Sequence, residues 1–152
     1  MAFRVFNPAD YDWRVTNPLG VVNVDLARQL GSHDLALRVW RLSPGQAVPR
    51  HRHRHRHRHQ TELYLLLSGS GRIRVDGTPL RLEPMSAVLV EPASLRQVFN
   101  DTDAESLWLI AGALLESFPI NAQGYETELG HLYPDGVEAL PPELNDSPDA
   151  AA

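Results

Sequence analysis

A chain of 152 residues is most simply one domain, long enough to bury a core without covalent staples. It has no cysteine, which excludes disulfides and leaves the redox compartment open. All fourteen of its cationic side chains are arginine; residues 1–112 hold those fourteen against eleven acids, and residues 113–152 hold eight acids and no arginine, so the net −5 hides a mildly basic body and an acidic tail.

Five of the arginines (50, 52, 54, 56 and 58) fall in one short run, which is too narrow for a broad nucleic-acid face. No apolar run reaches the roughly eighteen residues of a membrane span. The opening "MAFRVFNPAD" has no apolar signal core. A cytoplasmic protein with no nucleic-acid or membrane partner is the expectation.

In chain order, "VVNVDLARQLGS" holds a short helix, with Asp25 near its start and Gly31 near its end. Residues 1–33 form an N-terminal extension, strand or short helix, that packs on the body. From Asp34 the pattern changes to short apolar runs closed by turn residues: "LALRVWRLSPG", "ELYLLLSGSG", "RIRVDG", "PLRLEP", "AVLVEP", "LRQVFND" and "SLWLIAG". Alternation such as Arg72-Ile73-Arg74-Val75 reads as strands with one wet face, and Asp76-Gly77 as a hairpin turn. A strand every eight to ten residues over about 34–112 predicts an all-β sandwich or barrel. Trp40, Phe99 and Trp108 read as core or interface residues, Asn100 as a turn fastener, and His33 and His131 as surface residues. Residues 113–152 read as an irregular, acidic, Pro-rich tail, fading into disorder from about Pro141.

One stretch does not fit plain strand chemistry. "VPRHRHRHRHRHQTELYLLLSG", Val48 to Gly69, alternates five histidines with arginine. It lies inside the chain, so it is not a purification tag. An extended strand would put His51, His53, His55, His57 and His59 on one face, and imidazoles two residues apart converge on one ion. A carboxylate, Glu62, and a turn glycine, Gly69, follow. Alone, such a run is more often a solvated low-complexity segment; Glu62 and the glycines argue for a site.

Gly45, the His-x-His pair, Glu62 and Gly69 together resemble the first motif of the cupin superfamily. The resemblance covers about Leu35 to Gly112 and implies an all-β double-stranded β-helix, or jelly-roll barrel, and a homodimer. It also implies a metal site of two His and one Glu from the first motif and one His from a second. Two registers are open. Counting from Gly45 selects His51 and His53; counting back from Glu62 selects His55 and His57. The two differ by two copies of His-Arg, and nine extended residues would reach about 30 Å, longer than such a strand, so part of the run must loop out. The unbroken stretch into Glu62 and Gly69 favours His55, His57 and Glu62, since the preceding loop can absorb an insertion.

The second motif departs from the family. Where it expects Gly, Pro, Gly, His and Asn, the chain has Met85, Glu91, Ala93, Arg96 and Asn100. A guanidinium has no lone pair to give a metal. In one reading His55, His57 and Glu62 still bind Fe, Mn, Zn or Ni while Arg96 grips an anionic substrate, with Tyr64 and Gln60 beside it. In the other, Arg96 pairs with Glu62 in the metal's place. A fixed charge about 5 Å from a dication costs on the order of 6–7 kcal/mol at an effective dielectric near 20, against roughly 10–16 kcal/mol for a protein metal site. Arg96 therefore weakens such a site without abolishing it. The functional expectation is a small-molecule cupin, a dioxygenase or isomerase if an enzyme; the alternative is a binding or sensing module without metal. Apolar residues on both faces of "ELYLLL" call for a cover over the outer face, a strand or a subunit.

Overall fold

The computed structural model describes residues 3–33, 35–52, 54–55, 58–59, 61–113 and 133–145, with the backbone alone at 54, 55, 58, 59 and 113. Every apolar run singled out by its alternation is a strand. Near the N-terminus come β1 (Arg14–Val15), β2 (Val22–Asp25) and helix α1 (Leu26–Leu30), then β3 (Leu35–Leu42). Two short pieces, β4 (Arg54–His55) and β5 (Arg58–His59), precede β6 (Glu62–Ser68), β7 (Gly71–Val75), β8 (Thr78–Leu82), β9 (Ala87–Val90), β10 (Arg96–Phe99) and β11 (Ser106–Ala113). The larger sheet has the order β1-β2-β3-β11-β6-β9 and the smaller β10-β7-β8, with antiparallel pairing throughout. This is the expected all-β, double-stranded β-helix.

The local chemistry explains the elements. Asp25 caps α1 by accepting from the Arg28 backbone at 3.0 Å. Asp76 and Gly77 both take positive φ (47° and 85°), the conformation a two-residue hairpin turn needs between β7 and β8. On β6 burial alternates, with Glu62, Tyr64 and Leu66 inside and Leu63, Leu65 and Leu67 less covered. Tyr64 and Leu66 join Val21, Leu42, Val48, Ile73, Val90, Val98 and Trp108 in one core. Each such side chain contributes about 1.5–3 kcal/mol by leaving water.

Part of the outer face of the larger sheet is covered by the N-terminal segment: Tyr11 and Trp13 pack with Val24, Leu26, Val39, Leu67, Leu107 and Leu109. The extension thus supplies both edge strands and a cover. Leu35, Leu63 and Leu89, farther along that face, stay exposed.

The arginine–histidine run does not form one strand. Its first part lies along β10: Val48 N donates to Val98 O at 2.9 Å, and His51 and Arg96 exchange backbone hydrogen bonds of 3.0 and 2.9 Å. Farther on, Arg54 pairs with His59 and His55 with Arg58, so β4 and β5 form a separate two-stranded ribbon. Part of the run leaves the strand, as its length requires, but the part that departs is the one after His51 and not, as expected, the one before His55. Strand β10 starts at Arg96 and offers nothing for the chain beyond His51 to pair with, so the excess turns back on itself.

The C-terminal segment returns to the body. Tyr133–Gly136 make a turn closed by a 2.9 Å bond from Gly136 N to Tyr133 O, and a single helical turn, α2 (Pro142–Asn145), ends the described chain. Pro141 is buried. Two acids of the tail meet arginines of the body: Asp135 pairs with Arg50 at 2.9 Å, and Glu143 with Arg74. The uneven charge seen in the sequence thus acts, at these two points, between the tail and the body. Among the described residues no helix is long and apolar enough to cross a membrane.

Candidate ligand cavity

Strand β6 sends alternate side chains inward, so Glu62 and Tyr64 stand in succession beneath one cavity of about 380 Å³. His51, at the last bridge to β10, reaches the same place. Val48, Pro49, Trp40 and Ile110 give the cavity an apolar wall; Thr16, Asn17 and Arg38 give it a polar rim, and Tyr133 comes from the C-terminal segment.

Three groups converge on one carboxylate oxygen. The Tyr64 hydroxyl donates to Glu62 Oε2 at 2.5 Å, the Arg96 Nε lies 3.5 Å from it, and His51 Nε2 lies 3.6 Å from it. Glu62 is 8% exposed and Arg96 fully buried, so these charges interact in poor solvent. Burial first, and the Glu62 charge next, push the Tyr64 hydroxyl well above its ordinary pKa, with Arg96 pulling the other way. Tyr64 is thereby held neutral as a donor. His51 Nδ1 lies 2.8 Å from Pro49 O, a contact only an Nδ1–H can make as a hydrogen bond. That places a proton on Nδ1 and turns Nε2 toward Glu62.

Arg96 serves the site from behind. It does not line the cavity; Nη1 donates to Ser94 O at 2.8 Å, while Nε and Nη2 are buried with no hydrogen-bond partner. Its charge is directed to Glu62. The pairing of Arg96 with Glu62 weighed from the sequence is the arrangement present.

Of the residues singled out beforehand, His51, Glu62, Tyr64 and Arg96 come together. His53, His57 and Gln60 lie outside the described residues, as does the side chain of His55, so the set His55, His57 and Glu62 lies outside as a set. Asn100 does fasten a turn, donating to Leu42 O and Ala104 O and accepting from Thr102. Trp108 and Phe99 are fully buried, whereas Trp40 is partly exposed along the cavity. The sequence reading missed Arg38, held by Asn23 at 3.0 Å and Asp25 at 2.8 Å, and Tyr133. Arg38 had a signal in the period-two pattern of β3, two residues before Trp40; Tyr133 had none beyond the turn composition of "YPDG".

The described donors fall short of a metal site. His51 and Glu62 supply two ligand atoms, a protein site needs three or four, and the position the family gives to a further histidine holds a buried guanidinium. Among the described residues no group of three or more His, Cys, Asp or Glu gathers.

Residues 38–112 match the family described as a cupin domain. No curated protein matches the chain. Solved structures with similar folds include a sugar phosphate isomerase of the cupin superfamily from Silicibacter pomeroyi (18% identity, TM-score 0.61, 72% of this chain and 75% of that one). Another is KdgF from Halomonas sp. (18% identity, TM-score 0.59, 75% and 96%). A Cupin 2 conserved barrel domain protein from Salinispora arenicola also aligns (20% identity, TM-score 0.58, 74% and 87%). At these identities the likeness is one of fold.

Proposed function

Residues 38–112 form a cupin domain, and from that premise we propose that it binds a small hydroxyl- or N–H-bearing molecule in its cavity with an ion pair, Arg96–Glu62, where relatives would place a metal. The observation that carries this is the meeting of Tyr64, His51 and Arg96 on a single oxygen of Glu62. His51 and the Glu62 carboxylate both line the cavity, with His51 Nε2 turned toward the carboxylate. A polar group of a ligand fits beside them on the cavity floor, while its apolar part lies on Trp40, Val48 and Ile110. Arg96 sets a positive charge beside Glu62, and Tyr64 holds the carboxylate in place. A base of this kind can also take a proton from a bound molecule, which is the step an isomerase-type activity would require.

Elemental analysis of untagged protein tests the reading. The expected result is well under one equivalent of metal, with a melting temperature indifferent to a chelator. A full equivalent of iron, manganese, zinc or nickel that disappears with Glu62→Ala would overturn it and make Glu62 a ligand. A thermal-shift screen of small polyols and hydroxy acids should give hits that His51→Ala abolishes.

A further inference from the structure

Arg38 occupies the inward face of an interior strand, a place seldom given to a cation without a reason. Its neighbours Leu37 and Val39 turn the other way and join the cluster that Tyr11 and Trp13 cover. Arg38 stands opposite Asp25 on β2 and opposite Ile110 on β11, and Ile110 in turn stands opposite Tyr64 on β6. Two strand spacings thus set Arg38 and Tyr64 about 10 Å apart, at one level of the same face. Two bonds orient the guanidinium: Nη1 donates to Asn23 Oδ1 at 3.0 Å and Nη2 to Asp25 Oδ2 at 2.8 Å. A guanidinium carries more N–H donors than these bonds use, and the rest have no partner among the described residues, on a side chain 40% exposed.

The pair with Asp25 does not cancel the positive charge on this side. Behind Arg38 lies a polar hollow of about 290 Å³ to which Arg14, Arg28, Asp12 and Asp25 also contribute, three cations in all against two carboxylates. Within the main cavity, among the described lining residues, Arg38 is the one arginine and Glu62 the one acid. The two ends therefore differ: an anion is attracted at the rim, whereas on the floor it meets another carboxyl group. We propose that Arg38 is the anion anchor of the cavity and that the ligand is a small hydroxy acid. Its carboxylate sits at the rim on Arg38, and its far polar group rests against Glu62 and His51. This inference rests on the ligand-binding reading of the same cavity and names the class of ligand. One guanidinium that already shares its charge with Asp25 matches a carboxylate monoanion better than a phosphate dianion.

Ligand-observed NMR titrations of the untagged full chain at low salt test the anchor with gluconate, glucitol and glucitol phosphate, which differ at one end only. Gluconate should bind the parent about tenfold or more tighter than glucitol, the range of a charge-assisted hydrogen bond. Arg38→Gln should bring gluconate down to the level of glucitol and leave glucitol where it was. Arg38→Lys should keep part of the preference. Asp25→Asn, whose side chain can still cap α1, should strengthen gluconate alone by about twofold to fivefold, the worth of a partly exposed charge. If Arg38→Gln does not fold, the lysine and Asp25→Asn variants carry the test. A gluconate-to-glucitol ratio unmoved by these substitutions makes Arg38 a structural tie to β2 and overturns the anchor. Equal binding of gluconate and glucitol to the parent, both lost in His51→Ala, overturns the anchor and leaves the cavity reading standing. Binding of none of the three overturns both, and glucitol phosphate binding tightest overturns the carboxylate.

Discussion

The two ends of the arginine–histidine run are built from the same dipeptide and behave differently. At one end His51 exchanges backbone bonds with Arg96, directs its ring to Glu62 and borders the cavity. A few residues on, Arg54–His55 and Arg58–His59 pair, among the described residues, only with each other, apart from both sheets. The difference lies in what each end meets, since the residues are the same. The first end faces a strand with free backbone groups, a buried carboxylate and a buried guanidinium. The second faces no strand of either sheet, so it satisfies its backbone locally. A repeated sequence acquires a role from its neighbours.

The neighbour with the greatest leverage is Arg96. Replacing it with methionine keeps the volume and leaves Glu62 buried beside no compensating charge. Removing one partner of a buried pair typically costs about 3–5 kcal/mol, and denaturant unfolding should show a loss of that order. Arg96→His should lose less and, if the site has latent metal affinity, gain zinc or nickel binding measurable by calorimetry. A methionine variant as stable as the parent would mean that Arg96 does not define the fixed end.

Tyr64→Phe comes next. It removes one hydrogen bond to Glu62 without changing shape, at a cost of about 1–3 kcal/mol for a buried acceptor losing its donor. The linked pH effect has a definite sign. The Tyr64 pKa is raised in the folded state, so its contribution is full below the ordinary tyrosine range and disappears as pH rises through the folded value. Parent protein should lose stability steeply in strong alkali, and Tyr64→Phe should flatten that fall.

The free end should tolerate loss. Deleting four residues of the repeat shortens the excursion and changes closure entropy by well under about 1 kcal/mol. Because the repeat is regular, any four consecutive residues from 50 to 59 removed in phase yield one and the same chain, so deletion cannot separate the two histidine registers. Point substitutions can. His51→Ala should disturb the cavity, its effect read as lost stabilisation by small-molecule hits, while His55→Ala should leave those hits unchanged. The reverse result would move the functional end to His55.

Much of this was legible in sequence because short strands and tight turns are encoded locally. The runs from "LALRVWRL" to "SLWLIAG", the Asp76-Gly77 turn and the Asp25 cap each depend on neighbours within a few residues. Glu62 and Tyr64 followed from parity along one strand, and Arg96 from motif spacing. What escaped depends on distant partners. The reversal of the run reflects where β10 begins, Arg38 is oriented by Asn23 and Asp25, and Tyr133 arrives through ties to Arg50, Gln97 and Arg74. No periodicity records such meetings.

The smallest predicted effect tests how the fixed end is held from a distance. Asp76 sits at the β7–β8 turn, yet its backbone N–H donates to Leu95 O at 2.9 Å and its carboxylate accepts from Leu95 N at 2.8 Å. Leu95 immediately precedes Arg96, so this turn anchors the start of β10. A hydrogen bond from Ser94, then the one from Leu95 N–H, lowers the Asp76 pKa. A lowered pKa contributes stability above the unfolded value and loses it as pH falls through the folded one, so the contribution is present at neutral pH and lost in acid below about pH 4. Asp76→Asn removes that titration, while asparagine tolerates the positive φ of 47°. Since Asp76 is largely solvated, the neutral-pH melting temperature should fall only slightly. The acid limb of the stability curve should become shallower in the variant. Identical acid limbs would show that β10 holds Arg96 in place without help from the turn.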